Sequence, residues 1–213
     1  MLAPEKVGFF RDLRGCSRIL GEGCLRDGRG EVDGLTEDMR GLIKKGGAMV
    51  SFDEVSQTNA AGDIERLQGY FASGFDANTT TKTEKWTLLH KALLLPHAAT
   101  NPDLIALLID SGCHVNAVDA SGNTALHYAA RKCDEASIGI LLSSGADPNA
   151  VNSEGRTPLQ KLLGSGRYSV EAVQEFLQAG ADPDLGTPGS ARKLASALED
   201  SKVIELFDKR KPD

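Results

Sequence analysis

The side chains best suited to ligate metal or act as nucleophiles are four cysteines (Cys16, Cys24, Cys113, Cys133) and four histidines (His90, His97, His114, His127). Cys113, His114, His127 and Cys133 have the composition of a zinc quartet, because thiolate and imidazole are donors that zinc accepts. Their spacing argues against one, since no two form the short finger-like pair that lets a single turn present two ligands. None of the cysteines forms a CxxC pair, and four scattered through 213 residues do not make a disulfide scaffold. Small buried or half-buried thiols in a reducing intracellular compartment are therefore expected for Cys113 and Cys133. No G-x-S-x-G elbow, H-E-x-x-H helix, phosphate-binding glycine loop or kinase signature occurs. The carboxylates fall mainly in turns and helix starts, with no evident pair facing one cleft. The expectation is a chain without catalysis, metal or cofactor.

The elements that hold these residues are bounded by composition. Lysine plus arginine is 24 against 30 for aspartate plus glutamate, a net charge of −6. That balance argues against a general nucleic-acid binder, which needs a basic face to displace phosphate counterions. The longest apolar runs, such as Leu104 to Ile109, are far shorter than the roughly 20 residues of a membrane span. The first 20 residues lack an apolar stretch of the kind a secretory signal requires, and Glu5 and Asp12 interrupt the arginines of a transit-peptide pattern. A soluble cytoplasmic protein is expected, with the nucleus as the other compartment.

Two phrases recur in register. Gly74-Phe-Asp-Ala-Asn78, Gly112-Cys-His-Val-Asn116, Gly145-Ala-Asp-Pro-Asn149 and Gly180-Ala-Asp-Pro-Asp184 are separated by 38, 33 and 35 residues. Trp86-Thr-Leu-Leu-His90, Asn123-Thr-Ala-Leu-His127 and Arg156-Thr-Pro-Leu-Gln160 repeat in step with them. A period near 33 carrying T-P-L-H-x-A resembles the ankyrin repeat family over Ser51 to Phe207. The resemblance implies an all-α solenoid of stacked helix-turn-helix units with β-turn or hairpin tips. Five repeats are counted, the three central ones well matched.

The residues support each unit physically. Thr124 and Thr157 stand where first helices begin, and Pro158 fills a first helical position, where its missing N–H costs nothing. Apolar runs from Leu104, Ile138 and Val170 have the period of second helices. Gly112, Gly145 and Gly180 then stop those helices in the left-handed conformation. Ser51 with Glu54 reads as a capping box opening a polar helix over Phe52 to Asn59. Two departures lengthen the repeats, one around Pro96 to Thr100 and one near Gly164 to Tyr168. The domain plan is a flexible or weakly helical extension at 1–50, repeats at 51–208 and a charged tail at 209–213. Within the extension, Leu35 to Ile43 reads as a degenerate helix covering the open edge of the first repeat.

The resemblance also implies a binding module, with turn tips and first helices forming one concave strip. Matching the repeats places Glu84, Trp86, Ser121, Asn123, Glu154 and Arg156 on successive tips, with Arg131 and Lys132 closing the first helix of the third repeat. Trp86 is the sole tryptophan, and tryptophan and arginine are enriched at binding hot spots. The function expected is a non-catalytic intracellular adaptor, a monomer binding a partner protein; the alternative is a regulatory or substrate-recruiting subunit of an enzyme complex. In the same family pattern, His90 and His127 serve in hydrogen bonds at repeat boundaries. Asn116 and Asn149 resemble asparagines that an asparaginyl hydroxylase modifies in other ankyrin proteins, although holding the turn together accounts for both.

Overall fold

The computed structural model describes residues 43–45, 48–94 and 100–209. They all lie in the second of two units, residues 38–213; the first unit is 1–37. Ten helices are described, in five consecutive pairs. These are α1 (Phe52–Ala61) with α2 (Ile64–Ala72), α3 (Leu88–Leu94) with α4 (Pro102–Asp110), and α5 (Ala125–Lys132) with α6 (Glu135–Ser143). Then follow α7 (Pro158–Gly164) with α8 (Val170–Gln178), and α9 (Ala191–Ala197) with α10 (Ser201–Asp208). First helices pack on first helices and second helices on second, giving two layers along one stack. A short antiparallel hairpin, β1 (Ile43–Lys45) with β2 (Ala48–Val50), precedes α1.

The helix starts follow from their caps. Thr157 Oγ1 accepts the Gln160 N–H while Gln160 reaches back to the Thr157 N–H at 2.7 Å, and Pro158 opens the helix. Asp63, Asp134 and Asp200 cap second helices by accepting the N–H three residues on. The left-handed stops stand where expected, with φ of 90° at Gly112, 85° at Gly145 and 102° at Gly180. Leu89, Leu126 and Leu159 of the first layer and Ile105, Ile138 and Val173 of the second are at most 1% exposed. Burying each such side chain contributes roughly 2 kcal/mol, and the core runs unbroken from Val55 to Phe207.

Three local expectations change. The capping box at α1 is half formed: Ser51 accepts from Glu54 N–H, but the Glu54 carboxylate instead accepts from Arg66 (3.1 Å) and Tyr70 (2.7 Å). The helix runs through Ala61, two residues past Asn59, because Gly62 supplies the left-handed stop at φ 70°. Ile43 starts a strand rather than ending a helix, and the remainder of Leu35 to Ile43 lies outside the described residues. Of the Pro96 to Thr100 lengthening, only Thr100 is described. The lengthening near Gly164 turns through Gly166 at φ 69°, with Ser165 receiving the Arg167 N–H.

Candidate functional site

The first helices stack with one polar side chain of each aimed at a backbone carbonyl of the next repeat. Asn59 Nδ2 donates to Leu88 O (2.9 Å), His90 Nε2 to Asn123 O (3.1 Å), His127 Nε2 to Arg156 O (3.0 Å), and Gln160 Nε2 to Gly189 O. The Thr87 N–H reaches His90 Nδ1 at 3.2 Å and the Thr124 N–H reaches His127 Nδ1 at 3.1 Å. That arrangement assigns the ring proton to Nε2 and requires a neutral imidazole. Burial accordingly pushes both histidines below their ordinary 6.5.

The tips are tied by a second ladder. Ala120 N donates to Glu84 O (2.8 Å), Ser153 N to Ser121 O (2.9 Å), and Thr187 N to Gly155 O (2.7 Å). On the opposite edge, Asn78, Asn116 and Asn149 form three equivalent clamps. Asn116 donates to Gly145 O (3.0 Å) and accepts from Asp147 N (2.8 Å), while Asn149 donates to Gly180 O (2.9 Å) and accepts from Asp182 N (2.7 Å). Both carboxamides flagged for hydroxylation thus hold consecutive repeats together.

Between the ladders, the first helices present Lys91, Tyr128 and Arg131. His90, Ala92 and Leu93 are buried, so Lys91 emerges between them toward the open side, and its Nζ stands 4.8 Å from the Trp86 ring centroid. Tyr128 occupies the corresponding position of the next repeat. Its hydroxyl donates to Asp119 (2.5 Å), its ring meets His90 edge-on, and the Arg131 guanidinium lies 5.1 Å from its centroid. Asp119 also accepts from Ser121 N and Asn123 N, each at 2.8 Å. Burial alone would raise the Asp119 carboxyl, and these hydrogen bonds outweigh it and hold the group ionised below its ordinary value. Burial, then the Asp119 charge, pushes the Tyr128 phenol up to about 12. A groove of about 280 Å³ opens at the Trp86–Lys91 end, walled by Ser56, Gln57 and Ala60 of α1, Trp86, and Lys91 and Leu94 of α3.

The residues expected at the binding strip divide. Glu84, Ser121, Arg131, Glu154 and Arg156 are exposed, and Trp86 is half-buried on the groove. Asn123 is occupied within the stack, its backbone carbonyl taken by His90 and its side-chain oxygen by Asn152 (2.8 Å). Lys132 turns toward the start of α4, donating to Thr100 (2.9 Å). Glu154 pairs with Lys161 (2.9 Å) and Arg156 (3.5 Å), which holds its carboxyl low. Sequence reasoning missed Tyr128, Asp119 and Lys91. The signal available was that each departs from the apolar pattern of a first helix or turn, yet no spacing tells that a tyrosine nine residues from an aspartate will meet it.

The cysteines and remaining histidines scatter. Cys113 is buried and donates to Ala77 O (3.3 Å), and burial, then the Asp76 charge, raises its thiol to about 12. Cys133 sits 2.9 Å from Ser165 Oγ. His114 is exposed, and His97 lies outside the described residues. Among the described residues no three His, Cys, Asp or Glu side chains converge on a point where a metal could sit. No described helix is long and apolar enough to cross a membrane.

Paired helices in two layers, with tips tied edge to edge and a groove between α1 and α3, define a helical repeat solenoid. A family model described as Ankyrin repeats matches three copies across residues 56–152 and 98–187, and the chain belongs to that family. No curated protein matches the sequence.

Proposed function

We propose that this chain is a non-catalytic interaction module that binds a partner protein along its first-helix face, acting as an adaptor in the cytoplasm or nucleus. Ankyrin repeats generally mediate protein–protein interaction, which supplies the class. The observation carrying the choice of face is the pair of cation–ring stacks on neighbouring first helices, Lys91 on the half-buried Trp86 at an open groove and the exposed Arg131 on the buried Tyr128. Tryptophan and arginine, here Trp86 and Arg131, are side chains that interface hot spots use. The two cysteines described, Cys113 and Cys133, carry free thiols, as a reducing compartment favours.

The test is affinity capture from native lysate with wild type beside a Trp86→Ala/Arg131→Glu variant, read by mass spectrometry. A protein retained by wild type and lost by the variant supports the reading, provided far-UV circular dichroism shows the variant folded. Equal retention by both baits moves binding off this face.

A further inference from the structure

Charge is sorted between the two helix layers. The first helices α3, α5, α7 and α9 hold six cations (Lys91, Arg131, Lys132, Lys161, Arg192, Lys193) and no carboxylate. The second helices α2, α4, α6, α8 and α10 hold eight acidic residues and two basic ones. In a chain of net charge −6 the first helices from α3 onward are thus its basic layer, with Glu84, Asp119 and Glu154 confined to the adjoining tips. The end helix α1 adds Asp53 and Glu54 at its first turn, where Glu54 is engaged by Arg66 and Tyr70.

The cations differ in what they touch. Lys161 is paired with Glu154, and Arg192 with Asp184 and Asp208. Lys91 and Arg131 instead lie against the rings of Trp86 and Tyr128. A cation stacked on a ring keeps its outer N–H donors directed to solvent, and the ring limits the side-chain freedom lost when an anion arrives. Lys91 lines the groove between α1 and α3, and Arg131 lies on the neighbouring first helix, α5. At about 280 Å³ that groove is below the usual range for a small-molecule site, and its walls of Ala60, Trp86, Leu94 and the Lys91 stem are mainly hydrocarbon.

We propose that this face captures an acidic segment of a partner protein in extended form, with carboxylates on Lys91 and Arg131 and one large apolar side chain seated between α1 and α3. The inference rests on the first-helix face being the binding face and adds the chemistry of what it takes. Charge complementarity selects the carboxylates, and the groove selects a single apolar anchor.

The probe is a displayed library of random 12-residue peptides panned against the full chain, followed by fluorescence anisotropy on the peptides enriched. Enriched sequences should carry net negative charge and a Leu, Ile, Phe or Trp at a fixed offset from an acidic residue. Binding should weaken about tenfold or more in Lys91→Glu/Arg131→Glu and between low and 0.5 M salt, because exposed charge pairs are screened. Ala60→Gln, which occupies the groove with an uncharged polar side chain and leaves the cations and the net charge in place, should weaken binding through the apolar anchor alone. Circular dichroism and melting curves establish that each variant is folded. Neutral or basic peptides that are still lost in Ala60→Gln would overturn the acidic ligand while keeping the face. Peptides indifferent to every variant would overturn the face itself. An empty selection, or displacement by polyuridylate at equal charge, would overturn capture of an acidic peptide and leave the face to the lysate experiment.

Discussion

The two central junctions of the stack close through imidazoles, at His90 and His127, and the two outer ones through carboxamides, at Asn59 and Gln160. All four do the same mechanical work, a buried donor on one first helix reaching a carbonyl of the next repeat. They differ in how completely the other half of the side chain is used. Both histidines and Gln160 take a threonine N–H on the second atom, whereas Asn59 Oδ1 is buried with no hydrogen-bond partner among the described residues. An unmet buried acceptor costs about 1–3 kcal/mol relative to a satisfied one. The N-terminal junction is therefore the less complete, and the centre is held by groups whose bridge depends on protonation.

Removing the bridge should produce the largest effect. His127→Ala leaves the Thr124 N–H without its partner, leaves Arg156 O with the Asn152 N–H alone and opens a void at a buried site, and a loss of about 3 kcal/mol is expected from urea unfolding at neutral pH. His127→Gln copies Gln160 and should restore most of that loss. Should glutamine prove no better than alanine, the ring's contact with its neighbours matters more than the bridge, and the likeness between junctions is superficial.

A helix stop and a tip permit a matched comparison one step smaller. Gly145 and Gly155 both have positive φ, at 85° and 75°. A Cβ at Gly145 meets nothing within 4 Å, whereas one at Gly155 runs into Thr187 Oγ1 and lies 3.0 Å from Thr187 O. Gly145→Ala should cost about 1 kcal/mol from backbone strain alone. Gly155→Ala should cost about 2–3 kcal/mol, because it also pushes apart two tips joined by Thr187 N to Gly155 O. Equal losses would mean that the tip ladder contributes little to the spacing of the repeats.

The helix stops Gly112, Gly145 and Gly180, the threonines that open α5 and α7, and the 33-residue period were legible because each acts locally: a cap, a stop or a turn needs only its own few residues. The site was less legible because its contacts cross repeats. Asp119 reads as a turn former, and its role in fixing Tyr128 exists only once α5 folds back over the tip. Glu54 reads as half of a capping box but is claimed by Arg66 and Tyr70, residues that α2 alone brings near. Asn123 sits at a tip by register, yet the neighbouring junction uses its carbonyl and its carboxamide. Sequence spacing assigned it a position correctly and could not tell that the stack had already occupied its polar groups.

Acid should act on the centre before the ends. Both histidines have folded pKa values lowered from 6.5, chiefly by burial, so the unfolded chain binds protons first and stability falls as pH drops below 6.5. The loss levels off once pH is below the folded values. Asp119 is lowered from 3.8, so its contribution is lost only at more acid pH, and the two windows separate. Urea midpoints measured between neutral pH and about pH 5, above the ordinary carboxylate range, should fall for wild type and stay flat for His90→Gln/His127→Gln. A double variant as acid-sensitive as wild type would place the titration in other groups.

The smallest expected effect concerns the stop of a single helix. Cys133 closes α5 with φ 56°, a conformation that Gly62 supplies at the end of α1 with φ 70°. A side chain held there carries roughly 1 kcal/mol of strain, which glycine would relieve at some cost in unfolded-state entropy. Cys133 also touches Ser165 at 2.9 Å, a weak sulfur–hydroxyl contact across to the end of α7. Cys133→Gly should raise stability by about 0.5 kcal/mol, and Cys133→Ala, which keeps the strain and loses the contact, should lower it slightly. If glycine falls below wild type, the contact to Ser165 outweighs the strained backbone, and this central junction is held by a sulfur bridge that the N-terminal repeat, with Gly62 in the same place, does without.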